Sequence, residues 1–87
     1  MALTPIEMTL TDEYYTRIVN NSTEYLAQNA GNSLIYIAGS STDLGATTTT
    51  DLGGYKINSL LSVDNSQLKN YPYVYAKSMV GSGLVLV

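Results

Sequence analysis

The apolar residues of this chain come in short runs separated by clusters of Asn, Ser, Thr and Gly, and this spacing constrains the fold more than any other feature. Residues 6–10 (IEMTL) alternate between apolar and polar, which predicts a strand with one buried face. Residues 34–38 (LIYIA) are apolar on both faces, which predicts a strand that is central or covered on each side. Residues 12–19 come nearest to a helical pattern, but they carry β-branched side chains and run into two Asn residues. The pattern indicates an all-β fold.

The remaining runs bring the prediction to about seven to eight short strands, with a turn signal about every 8 to 12 residues. This spacing is typical of a small antiparallel β-sandwich or barrel with little or no helix. Residues 15–19 and 23–28 are predicted to pair as a hairpin, because Asn20 and Asn21 between them tolerate the positive φ of a tight turn.

The second half of the chain begins with a long Gly/Thr-rich loop at residues 39–54. The loop has few apolar side chains for its length, so we expect it to be mobile in the isolated protein and ordered only against a neighbour. A strand at residues 55–63, bent at 58–59, follows it. Residues 71–79 and 83–87 are predicted to form a closing hairpin. All of these elements belong to one domain spanning residues 1–87.

The amino-acid composition narrows the chemistry that the protein can perform. The chain has no Cys and no His, which excludes disulfides, zinc sites built on these residues and catalysis by a histidine base. Asp12 and Glu13 are neighbours in an extended segment and point to opposite faces, so they do not form a catalytic pair. Asp43 and Asp51 match no known calcium loop. We therefore expect no enzymatic activity, no catalytic residues, no cofactor and no bound metal.

The charge distribution bears on the partners of the protein. Four Lys and Arg residues stand against seven Asp and Glu, and the four cations are scattered singly along the chain. Nucleic-acid binding depends on clustered Lys and Arg, so we expect no nucleic-acid partner. No basic segment followed by an apolar run opens the chain, and the apolar residues 83–87 fall far short of a membrane span. We expect synthesis in a cytoplasm and no membrane partner.

Tyrosines dominate one predicted strand. Tyr71, Tyr73 and Tyr75 lie at alternate positions, which places three phenol rings on one face of the strand. One interpretation is a sheet face that these rings seal. The other is a contact surface, either for a neighbouring protein or for sugar rings.

The C-terminal strand carries a second indication of contact. Leu84 and Leu86 alternate with Val85 and Val87, so both faces of this strand are apolar. Residues 34–38 share that property, and two such strands in so small a chain predict that a second sheet covers one face and another subunit the other. The candidate interface residues are therefore of two kinds, tyrosine and aliphatic: Tyr71, Tyr73, Tyr75, Ile35, Ile37, Leu84 and Leu86.

Several short motifs occur in a recognisable order: TLTD at residues 9–12, QNAGNS at 28–33, IYIA at 35–38, VYAKS at 74–78 and GLVLV at 83–87. Together they resemble small virion proteins of tailed bacteriophages. The resemblance implies a non-enzymatic β-sandwich on the outer capsid surface, namely a capsid decoration (cement) protein that stabilises contacts between major capsid subunits. Its implied partners are the major capsid protein and copies of itself, with a trimer favoured. The alternative is a tail, neck or head-fibre module that recognises host surface glycans.

Overall fold

The computed structural model describes residues 7–22, 24–50, 52, 55–57 and 62–87, with the backbone alone described at 55–57. The described part contains nine strands and no helix. Eight of these strands have three residues or more, and the ninth is a two-residue ladder. In chain order the strands are β1 Glu7–Thr11, β2 Tyr15–Val19, β3 Leu26–Asn29, β4 Ile35–Ser40, β5 Thr47–Thr48, β6 Tyr55–Ile57, β7 Ser62–Asp64, β8 Tyr73–Ser78 and β9 Ser82–Leu86.

The strands form two sheets in which all pairs are antiparallel. One sheet has the order β1-β9-β3-β7, and the other has the order β5-β2-β8-β4-β6. The prediction of a small antiparallel β-sandwich is confirmed. No described helix is long and apolar enough to cross a membrane.

A single cluster of apolar side chains lies between the sheets. Val85 of β9 and Val74 of β8 are fully buried there, and Leu10 of β1 is almost so. Each such side chain stabilises the fold by about 1.5 to 3 kcal/mol relative to an exposed position. Met8 packs against the same cluster, which confirms the predicted inner face of the first strand; Ile6, assigned to the same face, lies outside the described residues.

The predicted hairpin between residues 15–19 and 23–28 is wrong. β2 pairs with β5 and β8, whereas β3 pairs with β7 and β9 in the other sheet. Asn21 does adopt a positive φ of 56°, as a turn residue would. Beyond it the chain is tied to the start of β8 by a bond from the Ser22 N–H to the Pro72 carbonyl. The turn therefore carries the chain from one sheet to the other.

The predicted closing hairpin is also wrong, because β8 and β9 lie in different sheets. Gly81 turns the chain with a φ of 64°, and β9 then lies between β1 and β3. Val74 and Ala76 of β8 face Val85 of β9 across the core, and all three are fully buried. A hairpin and a pair of strands that face each other from two sheets both bury alternate residues of each strand. The apolar pattern therefore does not distinguish the two arrangements.

The segment 55–63, predicted as one bent strand, is divided between the sheets. β6 pairs with β4, and β7 pairs with β3. The bend predicted at residues 58–59 lies outside the described residues.

Candidate functional site

The outer face of the five-stranded sheet carries aromatic and cationic side chains. Arg17 of β2 lies opposite Tyr75 of β8 in the ladder, and the Lys77 ammonium lies 5.0 Å from the centre of the Tyr15 ring. Residues at alternate positions share a face, so Tyr73 lies on the same side as Tyr75. This face therefore combines phenol rings with two of the four cations of the chain.

Residues 41–46, called the strap below, cross this face. They leave β4, pass over β8 and β2, and enter β5 at the edge of the sheet beyond β2. The Leu44 N–H donates to the Tyr75 hydroxyl at 2.8 Å, and that hydroxyl donates to the Gly45 carbonyl at 2.8 Å. The Arg17 N–H donates to the Ala46 carbonyl at 2.9 Å. The strap is thus bonded to the sheet that it covers, and it leaves Tyr75 fully buried.

Asp43 joins the strap to the sheet by an ion pair. Its Oδ1 lies 2.6 Å from the Arg17 Nη1 and accepts a bond from the Gly45 N–H at 2.9 Å. Gly45 has a φ of 97°, a conformation that suits glycine. The Gly45 N–H, and next the Arg17 guanidinium, hold the pKa of the Asp43 carboxyl below its usual value. Asp43 is therefore bonded within the chain, while Asp51 lies outside the described residues.

The loop prediction for residues 39–54 needs two corrections. Gly39 and Ser40 belong to β4, and Thr47 and Thr48 form β5 against β2. The strap between them forms hydrogen bonds and an ion pair with its own chain. Contact with a neighbouring protein is therefore not the sole interaction that can order it. Residues 51, 53 and 54 lie outside the described residues.

The three predicted phenol rings do not share one surface. β8 begins at Tyr73, and Tyr71 precedes it in a turn where Lys69 and Asn70 both have positive φ. The Tyr71 ring lies on the core side of Gly39, where an added Cβ would be 2.7 Å from its Cδ2. Tyr75 lies beneath the strap. Tyr73 alone of the three is a half-buried strand residue on the outer face, so no stacking platform forms.

The aliphatic candidates divide into two groups. Ile35 and Ile37 are fully buried in the core of the chain itself, so they present no surface to a partner. Leu84 and Leu86 are half-buried and point away from the core, because Val85 between them points inward. Leu26, which the sequence did not single out, lies on the same outer face and is 59% exposed. Leu26, Leu84 and Leu86 are called the leucine face below.

A second exposed apolar set lies at one end of the sandwich. Val80 is 75% exposed, and Tyr14 and Leu34 are each 37% exposed. The Met79 N–H donates to the Leu34 carbonyl, and the Gly81 N–H donates to Asp12 Oδ2, so the three connections that carry these residues meet. Tyr14, Leu34 and Val80 are called the end patch below. No sequence pattern indicates the end patch, because its members lie in three separate turns.

The end patch and the leucine face expose aliphatic and phenolic side chains. The described residues contain no group of three or more acidic side chains placed to hold a metal ion. Comparison with protein-family models, with curated proteins and with solved structures found no match to this chain. The candidate functional site therefore consists of two surfaces known from this structure alone, the end patch and the leucine face.

Proposed function

We propose that this chain is a non-enzymatic structural protein of a phage particle, a capsid decoration protein that stabilises contacts between major capsid subunits. The observation that carries the proposal is the end patch. Three of the four exposed large apolar side chains in the described residues lie on adjoining connections at one end of the sandwich. Single exposed apolar residues are normal, whereas a group of them marks a contact site.

The chemistry around the end patch suits contact with protein. Cores of protein interfaces are depleted in charge and enriched in Tyr, and the end patch combines Tyr14 with two aliphatic side chains. Full burial of an aliphatic side chain contributes about 1.5 to 3 kcal/mol. Contacts of this size matter on a capsid because a decorating protein is present in many copies, and each copy adds its own contribution.

The proposal includes the partners and the location that the phage resemblance implies. The protein is made in the bacterial cytoplasm and binds the major capsid protein on the outer surface of the virion, together with copies of itself. Glycan recognition, the alternative function, relied on Tyr71, Tyr73 and Tyr75 as a stacking platform. Because Tyr75 is buried and Tyr71 lies on the core side of Gly39, no observation favours that alternative.

Binding of purified protein to capsids tests the proposal. We expect the wild-type chain to bind at a copy number close to that of the major capsid protein. Val80→Lys places a charge in the end patch and should abolish binding without unfolding the protein, because Val80 is largely exposed. Leu26→Lys is the matched control, since it places the same charge at another exposed apolar position.

The outcomes separate three possibilities. Loss of binding with Val80→Lys alone supports the end patch as the capsid contact. Loss of binding with Leu26→Lys alone would show that the leucine face, and not the end patch, is the capsid contact. A wild-type protein that does not bind capsids at all, or that is present at only a few copies per particle, would contradict the decoration function.

A further inference from the structure

β1 is the longest open edge of the sandwich in the part of the chain that the structure describes. The edge strands are β1 and β7 in one sheet and β5 and β6 in the other. β1 has five residues, whereas β5 has two and β6 and β7 have three each. An edge strand presents unpaired N–H and C=O groups to which another strand can bond, and short edge strands offer few of them. β1 is therefore the edge best able to accept a further strand.

The hydrogen bonds of β9 identify which backbone groups of β1 face outward. The Ala30 N–H donates to the Leu84 carbonyl, so Leu84 of β9 directs its backbone groups toward β3. In an antiparallel sheet the direction alternates along a strand, so Gly83 and Val85 direct theirs toward β1. Their register partners are Leu10 and Met8. The remaining residues of β1 therefore have outward N–H and C=O groups, and these are Glu7, Thr9 and Thr11.

Within the described residues, this edge lacks the usual features that prevent strands from pairing. The β1–β9 register runs through five consecutive pairs without a bulge. β1 contains no Pro and no Lys, and Glu7 at its start is its single charged residue. Natural edge strands are commonly protected by such residues, by bulges or by a covering segment. No described strand pairs with the outer side of β1.

We propose that β1 pairs with β1 of a second copy of this chain, antiparallel and about a two-fold axis at Thr9. This is the one two-fold register in which all five residues of β1 find partners, because the outward-facing Glu7 and Thr11 lie symmetrically about Thr9. It places Thr9 opposite the partner's Thr9, and Glu7 opposite the partner's Thr11. The carboxylate then lies beside a hydroxyl rather than beside a second carboxylate, which would be unfavourable. A self-complementary pairing of this kind is the usual form of a two-fold interface.

The contact joins two sandwiches into one continuous eight-stranded sheet. Leu84 lies opposite Thr9 in the β1–β9 ladder, so the leucine faces of the two copies become parts of one surface. The unit is a dimer, in contrast to the trimer that the phage resemblance implies. The inference rests on the proposed function in one respect alone, that the protein associates with copies of itself.

Cross-linking by a single introduced cysteine tests the register. The chain has no Cys, so a disulfide formed by one introduced Cys joins two molecules. In the proposed pairing the two Thr9 Cα atoms are about 5.5 Å apart, which a disulfide can span, and the two Thr11 Cα atoms are about 14 Å apart, which it cannot. Under mild oxidation, Thr9→Cys should give a covalent dimer on a non-reducing gel. The matched control Thr11→Cys should stay monomeric, and equal cross-linking of the two variants would overturn the register.

Charge variants test the same contact without covalent bonds. Thr9→Lys places two ammonium groups opposite each other and should weaken dimerisation about tenfold or more, measured by analytical ultracentrifugation. Thr11→Lys places the same charge opposite the partner's Glu7 and should leave dimerisation unchanged or strengthen it. Circular dichroism should show both variants folded, because both side chains project from the outer face of the sheet.

The outcomes also distinguish this inference from the proposed function. A wild-type chain that stays monomeric at high micromolar concentration, yet binds capsids, would overturn the β1 contact and retain the decoration function. A dimer that does not bind capsids would retain the contact and overturn that function. A stable trimer that Thr9→Lys does not affect would also overturn the β1 contact.

Discussion

The outer faces of the two sheets differ in what covers them. On the five-stranded sheet the strap crosses the face, bonds to Tyr75 and Arg17, and leaves the Tyr75 ring with no exposed surface. On the four-stranded sheet Leu26, Leu84 and Leu86 stay partly exposed, beside the open edge of β1. Both faces carry large side chains, so the sequence pattern alone does not reveal the difference. A residue that faces away from the core can contact a partner protein only if no segment of its own chain covers it.

The largest expected effect comes from removing β9, an inner strand of the four-stranded sheet. Deletion of residues 84–87 removes most of β9, which lies between β1 and β3. β1 then loses its described strand partner, and β3 keeps β7 as its remaining partner. Burial of Val85 alone stabilises by about 1.5 to 3 kcal/mol, and the whole domain has a stability of about 5 to 15 kcal/mol. We expect this variant to show no cooperative thermal transition by circular dichroism. Deletion of residues 1–4 is the control and should still melt cooperatively.

A smaller effect is expected from releasing the strap. Tyr75→Phe keeps the buried ring but removes the hydroxyl that bonds both Leu44 and Gly45, which leaves these backbone groups without their partner. The loss should lower the free energy of unfolding by about 1 to 3 kcal/mol. Amide hydrogen exchange should accelerate in residues 43–46. Tyr73→Phe removes a hydroxyl from the same face outside the strap and should change neither quantity; an equal effect of both variants would show that the strap is not held through Tyr75.

The smallest expected effect concerns pH. The pKa of Asp43 is lowered in the folded protein, so the stability it contributes is fully present above the pKa that the group has when unfolded. That stability is lost as the pH falls through the lower, folded pKa. Asp43 is exposed and solvent screens its ion pair, so the effect should be small.

Thermal unfolding of the wild-type chain and of Asp43→Asn between pH 7 and pH 2 measures the Asp43 contribution. The wild-type melting temperature should fall more steeply with acid than that of the variant. The pKa of Asp64 is also lowered, by bonds from Ser66 and Gln67, so part of the acid dependence should persist in both proteins. Identical pH profiles would contradict a role for Asp43 in holding the strap.

The sequence predicts the class of fold because alternation along each strand is a local property. Met8 and Leu10 alternate with polar residues, and the buried face of β1 follows directly. Strand pairing is not local. Asn21 adopts the positive φ that an Asn residue tolerates, yet a turn that joins two sheets can have the same local conformation as one that joins hairpin partners.

The candidate site was harder to predict than the fold. Ile35 and Ile37 are strongly apolar, which is equally the property of a core residue and of an interface residue, and the structure places both in the core. The sequence leaves open whether Tyr75 lies on a covered face or on a contact surface, because nothing local indicates that Leu44 and Gly45 return to cover it. The end patch unites residues from three turns, and no sequence period connects them.

Hydrogen exchange, compared between the free protein and the protein bound to capsids, measures whether the uncovered surfaces make the intermolecular contacts. When the free protein is kept dilute enough to be monomeric, we expect binding to increase protection at residues 7–11 and around Leu34 and Val80. Protection of the strap should be the same in both states, because its partners lie within the chain. If instead binding protects the strap and leaves residues 7–11 and the end patch unchanged, the covered and uncovered surfaces have been assigned the wrong roles.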